Sequence, residues 1–79
     1  MKISKEHLEH LRTHIAPLDL PERRAAYASA GLSDVRYRWD LLWAAKLGPF
    51  VCGTLYKAGL DDSHIDTALR NIIPAVVRP

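Results

Sequence analysis

Residues that end helices recur at short intervals along this chain, at Pro17, Gly31, Gly48, Gly59 and Pro74. Between them, apolar residues repeat every three or four positions, which is the spacing of one helix face, and no segment alternates apolar and polar residues for long. The sequence therefore predicts an all-α fold, a compact bundle of four or five short helices with the third helix at its centre. A chain of 79 residues has the size of one domain, so we expect a single helical domain over residues 1–79.

Capping residues set the expected limits of each helix. Serines are favourable N-caps for the first and third helices. The pairs Asp19–Glu22 and Ser63–Asp66 have the spacing of a capping box, and Gly31 and Gly59 suit the left-handed position after a helix. The expected helices run after Ser4 to about Ile15, from near Asp19 to Ala30, after Ser33 to Leu47, from about Phe50 to Ala58, and from within 61–63 to Ile73.

The third helix carries apolar residues on two sides. A helix of this kind is either central in its domain or covered by a partner. Its two tryptophans are expected to anchor the core, because aromatic side chains bury the largest areas. One apolar side consists of Val35, Trp39, Leu42 and Trp43, and the other of Tyr37, Leu41, Ala44 and Ala45. The other predicted core positions are Leu8, Leu11, Ile15, Ile65, Leu69, Ile72 and Ile73.

The amount of apolar surface predicts self-association. A domain of this size has few helices with which to cover both sides of the third helix, and Ile72, Ile73, Val76 and Val77 add further apolar surface near the C-terminus. Soluble monomers rarely leave such patches in water, and a twofold dimer is the commonest way to cover them. A homodimer is therefore expected. The alternative is that the other helices and the tail wrap the third helix completely.

Charge and cysteine content limit the possible classes of protein. The chain has 11 basic and 9 acidic residues, which is too balanced to indicate nucleic-acid binding on charge alone. The N-terminal residues lack the apolar stretch of a signal peptide, and no segment reaches the roughly 20 apolar residues that cross a bilayer. We therefore expect a cytoplasmic protein. Cys52 cannot form an internal disulfide and, as a free cysteine, is expected in the core.

Three histidines, His7, His10 and His14, fall within an arc of about 60° on the first helix. Imidazoles one turn apart can ligate zinc or nickel, and His64 is a distant candidate for a fourth ligand. No cysteine or paired carboxylate completes a ligand shell locally, so we predict a solvated helix flank and no metal or other cofactor. The chain also lacks a glycine-rich phosphate loop and a recognisable Ser/His/Asp motif. A non-enzymatic protein without a small-molecule substrate is expected, and a metal-dependent enzyme is the third hypothesis.

Residues 55–71 also permit a helix-turn-helix interpretation, with Gly59 in the turn. Asp61, Asp62 and Asp66 argue against it, because they cluster where the last helix would approach phosphates and would repel them. A small DNA-associated regulatory protein is therefore the alternative function. The residues that would face the bases are His64, Thr67, Arg70 and Asn71.

Residues 36–43 combine arginine with aromatic residues, the types enriched at interface hot spots. Arg36 and Asp40 lie one turn apart and can pair along the helix. The predicted partner-binding residues are Tyr37, Arg38 and Leu41, together with Arg23 and Arg24. An exposed apolar patch would favour a protein partner. Nucleic acid would be favoured by a continuous positive face holding Arg23, Arg24, Arg36 and Arg38.

Four stretches form a distinctive pattern: Pro21–Arg24 (PERR), Gly31–Asp34 (GLSD), Arg36–Trp43 (RYRWDLLW) and His64–Arg70 (HIDTALR). Together they resemble a family of small uncharacterised proteins encoded by phages and prophages of Gram-negative bacteria, and the resemblance covers residues 16–74. Relatives often carry threonine where this chain has Leu20, and the link between the third and fourth helices varies in length. The resemblance implies a phage or prophage setting in a bacterial host cell, without a biochemical activity. The predicted function is a non-enzymatic accessory protein that binds a second copy or a host protein.

Overall fold

All regular secondary structure in residues 2–74, the part of the chain that the computed structural model describes, is helical. The predicted all-α bundle is therefore confirmed. The tail positions Val76 and Val77 lie outside the described residues. The elements are α1 (Lys5–Ile15) followed by a 3-10 turn (Ala16–Leu18), α2 (Pro21–Ser29), α3 (Asp34–Ala44), α4 (Gly48–Phe50) continued by a π-helical turn (Val51–Leu55), and α5 (Asp62–Ile72).

Local capping ends several helices where it was predicted. The hydroxyls of Ser4 and Ser33 each accept a hydrogen bond of 3.1 Å from the backbone N–H three residues later. Gly31 and Gly59 have φ angles of 71° and 90°, a left-handed conformation that costs glycine little. The leucine after each glycine donates its N–H to the carbonyl five residues earlier, at 3.0 and 3.1 Å. The chain therefore uses the same helix end twice.

The start of α2 differs from the prediction. The helix begins at Pro21, and its N-cap is Leu20, whose side chain makes no capping hydrogen bond. The predicted capping box of Asp19 with Glu22 is therefore wrong. The carboxylate of Asp19 instead accepts two hydrogen bonds from Arg24, and these charge-assisted bonds are stronger than a neutral cap.

Replacing Leu20 by threonine is expected to raise the free energy of unfolding by about 1 kcal/mol, the usual contribution of an N-cap. The backbone at Leu20 is already extended, with φ −98° and ψ 145°, and its side chain is 40% exposed. Little burial is therefore lost, and a hydroxyl could accept an orphan N–H of the first turn. Urea denaturation measures the change. Leu20→Val is the control without a hydroxyl, and an equal gain in that variant would show that capping is not the cause.

The cap of α5 is Asp61 rather than Ser63. Asp61 has the extended backbone of an N-cap and accepts a hydrogen bond from the N–H of His64 at 3.0 Å. The Nδ1 atom of His64 accepts one from the N–H of Asp61 at 3.2 Å, which completes a capping box. The predicted box of Ser63 with Asp66 is wrong because Ser63 already lies inside the helix.

The end of α3 comes earlier than predicted. The helix stops at Ala44 instead of Leu47, and Lys46 takes a left-handed φ of 60°. The N–H of Leu47 then donates to the carbonyl of Leu42 at 3.2 Å, and the Leu47 side chain is buried. A left-handed residue other than glycine costs about 1–2 kcal/mol, whereas a fully buried leucine contributes about 1.5–3 kcal/mol. Burial of Leu47 thus offsets the strained turn.

The fourth helical segment also differs from its predicted range of 50–58. It begins at Gly48 and continues into the π-helical turn, in which the N–H of Tyr56 donates to the carbonyl of Val51 at 2.9 Å. Val51 and Leu55 take the inward positions of this turn and are fully buried. Cys52 is consequently directed outward and is exposed, so its predicted place in the core is wrong.

The core is formed where α1, α3 and α5 pack against one another. The predicted faces of α1 and α5 point inward, although Leu8 and Ile72 are only half-buried. Leu42 and Leu47 extend the core toward the π-helical turn. The largest fully buried side chains are Tyr37, Leu11, Ile15, Leu41, Leu42, Leu55, Ile65, Leu69, Ile73 and Val51.

Only one of the two predicted apolar sides of α3 lies in the core. Tyr37 and Leu41 are fully buried, together with Leu42 from the other side. Val35 is 45% exposed and Trp43 is 50% exposed. The prediction that the tryptophans anchor the core is wrong for Trp43, and Trp39 is half-buried. The reason is size, because the neighbouring helices of so small a bundle cover one side of α3.

Candidate protein-binding surface

Val35, Trp39 and Trp43 form one exposed face of α3, which we call the α3 surface. Their spacing of four residues places them on the same side of the helix, each about one turn from the next. The two indole rings are neighbours, with centroids 6.3 Å apart and planes inclined by 37°. Trp39 packs partly on the core, whereas Trp43 leaves half of its side chain open. The three side chains thus form a continuous apolar face, and the opposite side of the helix packs in the core.

Gly48 sets the position of the Trp43 ring. A Cβ atom built on Gly48 would lie 2.9 Å from Cζ3 of Trp43, closer than side chains tolerate. The ring therefore lies against the backbone at the start of α4, and a larger residue at position 48 would displace it. This contact limits the positions open to the indole on one side, and a side chain that is already restricted loses less entropy on binding.

A pair of opposite charges borders the α3 surface. Nε of Arg36 lies 3.5 Å from Oδ2 of Asp40, one turn along the same helix; Arg36 is exposed and Asp40 is half-buried. The hydroxyl of Tyr27 on α2 donates to the same Oδ2 at 2.5 Å, and this hydrogen bond raises the pKa of Tyr27. Asp40 is thus held in place by two neighbours.

A hydrogen-bonded network joins α2 to α3 behind this border. Nε and Nη2 of Arg24 donate to the two carboxylate oxygens of Asp19 at 2.6 and 2.7 Å, and the hydroxyl of Tyr37 donates to Oδ1 at 2.7 Å. The hydrogen bonds from Arg24 lower the pKa of Asp19, although burial opposes them. Burial, and then the bond to Asp19, raise the pKa of Tyr37 to about 12. The ring of Tyr27 packs edge-on against Tyr37, with centroids 5.0 Å apart.

Three of the predicted partner-binding residues are inside the protein. Tyr37 and Leu41 are core residues, and Arg38 is 5% exposed. Nε of Arg38 donates to the carbonyl of Ile73 at 2.8 Å and so satisfies the C-terminal end of α5. These side chains therefore do not present themselves to a partner. The predicted partner-binding role of these residues is wrong because α3 has two apolar sides, and the side with the tryptophans was expected in the core.

The four arginines proposed as a positive face do not form one. Arg24 is engaged with Asp19, and Arg38 is buried in the core. Arg36 is exposed but paired with Asp40, and Arg23 is half-buried. The structure thus shows an exposed apolar patch and leaves most of these charges balanced or buried.

The α3 surface itself was missed as a site, although a signal for it existed. Two residues of the chain's most unusual segment, Trp39 and Trp43, share a face with Val35 at a spacing of four. Tyr37 and Leu41 share a second face, and either face could satisfy the core. Gly48 was assigned only the role of ending a helix, and its contact with Trp43 depends on the tertiary structure.

Two of the three histidines of α1, His7 and His10, pack against Phe50, and the third, His14, packs against His10. His7 and His10 have ring centroids 5.6 and 4.4 Å from that of Phe50, and His10 lies 4.4 Å from His14. Nδ1 of His14 is within hydrogen-bond distance, 2.9 Å, of the carbonyl of His10. Within residues 2–74, no group of three or more His, Cys, Asp or Glu side chains could hold a metal ion. His64, the distant candidate, belongs to the cap of α5.

The residues of the nucleic-acid alternative lie on α5, where most of them bond to their own helix. The hydroxyl of Thr67 donates to the carbonyl of Ser63 at 3.0 Å, and Nδ2 of Asn71 donates to that of Thr67 at 3.3 Å. Arg70 pairs with Asp66, with Nη2 and Oδ2 3.1 Å apart. A groove of about 390 Å³ is lined by His64, Thr67, Ala68 and Asn71, with Ser63, Lys2, Ile3 and Leu8 beside them.

Comparison with known proteins adds no family assignment. No protein-family model, curated protein or solved structure matches this chain. None of the helices within residues 2–74 has both the length and the apolar character needed to span a membrane. The α3 surface is therefore the feature from which a function can be proposed.

Proposed function

We propose that this protein is a non-enzymatic phage or prophage accessory protein that acts by binding another protein through the α3 surface. One observation carries the proposal, namely that the half-exposed Trp43 continues an apolar face formed with Trp39 and Val35. Tryptophan is enriched among the residues that dominate interface energies. A small domain that leaves such a face in water has a use for it.

Three features of the surface support binding rather than stability as its role. Trp43 contributes only half of its side chain to the fold, while the neighbouring face of α3 already supplies the core. The contact with Gly48 orders the ring at the surface. The pair Arg36–Asp40 supplies a polar border beside the apolar centre, which is the usual anatomy of an interface.

The partner is a second copy of the chain or a protein of the bacterial host. The phage setting, which the resemblance described above implies, and the cytoplasmic location, which was expected from the sequence itself, are both part of the proposal. The nucleic-acid alternative has less support, because Asp61, Asp62 and Asp66 lie toward the N-terminal end of α5. In addition, Arg24 and Arg38 are engaged within the protein.

The experiment that tests the proposal compares Trp43→Ser with Tyr56→Ser. Both replace an exposed aromatic residue, but Tyr56 follows the π-helical turn, and its hydroxyl bonds to Asp62 of α5. Self-association is measured by analytical ultracentrifugation, and host proteins captured by a tagged chain are purified and titrated against it. Loss of binding in Trp43→Ser and its retention in Tyr56→Ser are expected. Binding that survives Trp43→Ser would contradict the proposal, and salt-resistant nanomolar binding of duplex DNA, weakened by Arg70→Ala, would favour the alternative.

A further inference from the structure

We propose that the partner of the α3 surface is a second copy of this chain, docked antiparallel about a twofold axis that passes close to Trp39. The inference rests on the proposed function, because it takes the α3 surface to be a protein-binding site. It goes further by choosing the occupant and the orientation. Two features of α3 support this choice, namely the sizes of the apolar side chains on either side of Trp39 and the positions of the opposite charges beside them.

The apolar side chains of the α3 surface are spaced evenly about Trp39, which favours an antiparallel pair. Val35 and Trp43 lie four residues to either side of Trp39, which is about 6 Å along the helix in each direction. In an antiparallel pair centred on Trp39, the small Val35 of each copy meets the large, exposed Trp43 of the other. Each pairing of a small with a large side chain fills the space between the helices. A parallel pair would instead place Trp43 against Trp43 and leave a gap at Val35.

The second argument is charge complementarity. Arg36 and Asp40 lie on the same flank of the α3 surface, at about 100° and 140° around the helix from Val35. The midpoint between Arg36 and Asp40 along the helix is one residue from Trp39, where the twofold axis passes. The antiparallel arrangement therefore brings Arg36 of one copy beside Asp40 of the other, and the symmetry repeats this contact a second time. A parallel twofold pair would place the two flanks on opposite sides of the interface, so that Arg36 of one copy would not reach Asp40 of the other.

Asp40 can take part in this contact without losing its present bonds. Arg36 of the same chain and Tyr27 both contact Oδ2 of Asp40. The other oxygen, Oδ1, is the acceptor that we assign to Arg36 of the second copy. The hydroxyl of Tyr27 keeps the carboxylate in position, and the Arg36 side chain is 62% exposed and has room to turn.

The size of the α3 surface determines the expected strength. Stable dimers bury about 800 Å² on each partner, whereas a tryptophan buries at most about 250 Å². Trp43, Val35 and the border residues therefore supply a small interface. A reversible dimer with a dissociation constant in the micromolar range is expected, which sedimentation velocity at increasing protein concentration measures directly.

A charge-reversal series tests the orientation. Arg36→Asp places two carboxylates together at each end of the interface and is expected to weaken the dimer by about tenfold or more. The double variant Arg36→Asp with Asp40→Arg restores opposite charges and is expected to dimerise within a few-fold of the wild type. Arg12→Asp is the matched control, since Arg12 is also an exposed arginine that pairs within its own helix, with Glu9 on α1. Circular dichroism verifies that each variant is folded.

Disulfide trapping provides an independent measurement. In a Cys52→Ser background, an equimolar mixture of Arg36→Cys and Asp40→Cys is expected to form mixed disulfides faster than either variant forms its own. Faster self-disulfides would overturn the antiparallel orientation. A protein that stays monomeric up to several hundred micromolar would overturn the inference of a second copy. In that case binding of a host protein that depends on Trp43 would still stand, so the two proposals fail separately.

Discussion

Replacing Tyr37 by alanine is expected to lower the free energy of unfolding by about 3–5 kcal/mol, enough to unfold a domain of marginal stability. Tyr37 is 0% exposed and is the largest of the fully buried side chains. Its removal leaves a cavity between α3 and its neighbours and also removes the hydrogen bond to Asp19. Thermal melting and urea denaturation of the purified variant measure the loss.

The matched control is Trp43→Ala. This substitution also removes a large aromatic side chain from α3, but one that is half in water and touches the backbone at Gly48. We expect a loss of about 1 kcal/mol or less. If Trp43→Ala destabilised the protein as much as Tyr37→Ala, the assignment of the two faces of α3 would be reversed.

The second large effect is expected from Asp19→Asn, at about 2–3 kcal/mol near neutral pH. The substitution removes the charge from a carboxylate that accepts hydrogen bonds from Arg24 and Tyr37, and bonds to charged groups contribute about 1.5–3 kcal/mol. The side chains of Asp19 and Arg24 are 17% and 24% exposed, so solvent screens the pair only in part. Urea denaturation of the two proteins gives the difference.

The same carboxylate makes stability depend on pH. The pKa of Asp19 is lower in the folded protein than in the unfolded chain, chiefly because of Arg24. Its contribution is therefore present above the unfolded pKa of about 3.9 and is lost as the pH falls through the folded value. The wild type should lose its advantage over Asp19→Asn in that acid range. The control is Glu9→Gln, since Glu9 is 63% exposed and its pair with Arg12 contributes little. A difference that stays constant down to the lowest pH would contradict this role of Asp19.

These two predictions concern residues that stabilise the fold, which differ from the residues of the proposed binding surface. Tyr37 is on the buried side of α3, and its hydrogen bond to Asp19 links this helix to the segment before α2. Trp43 and Arg36 are on the exposed side of α3 and contribute less to the stability of the fold. Variants at the α3 surface can therefore report on binding without unfolding the domain, and this makes the charge-reversal series informative.

The ends of the helices were largely predictable, because capping depends on residues close in the chain. Ser4 and Ser33 accept hydrogen bonds from the following turn, and Gly31 and Gly59 take the left-handed position. Prediction failed at Asp19, where the expected capping residue has stronger partners elsewhere in the fold. The carboxylate of Asp19 bonds to Tyr37, which lies 18 residues away in the sequence. No local pattern carries that information.

The sequence by itself determined the all-α class, the order of the helices and the inward faces of α1 and α5. These follow from short-range periodicity and capping, which act within a few residues. Only the tertiary structure decided which face of α3 is buried. Both faces carry large apolar side chains, so the periodicity alone is consistent with burial of either one. The choice depends on the side from which α1 and α5 approach, and it leaves Trp43 exposed and Trp39 half-buried.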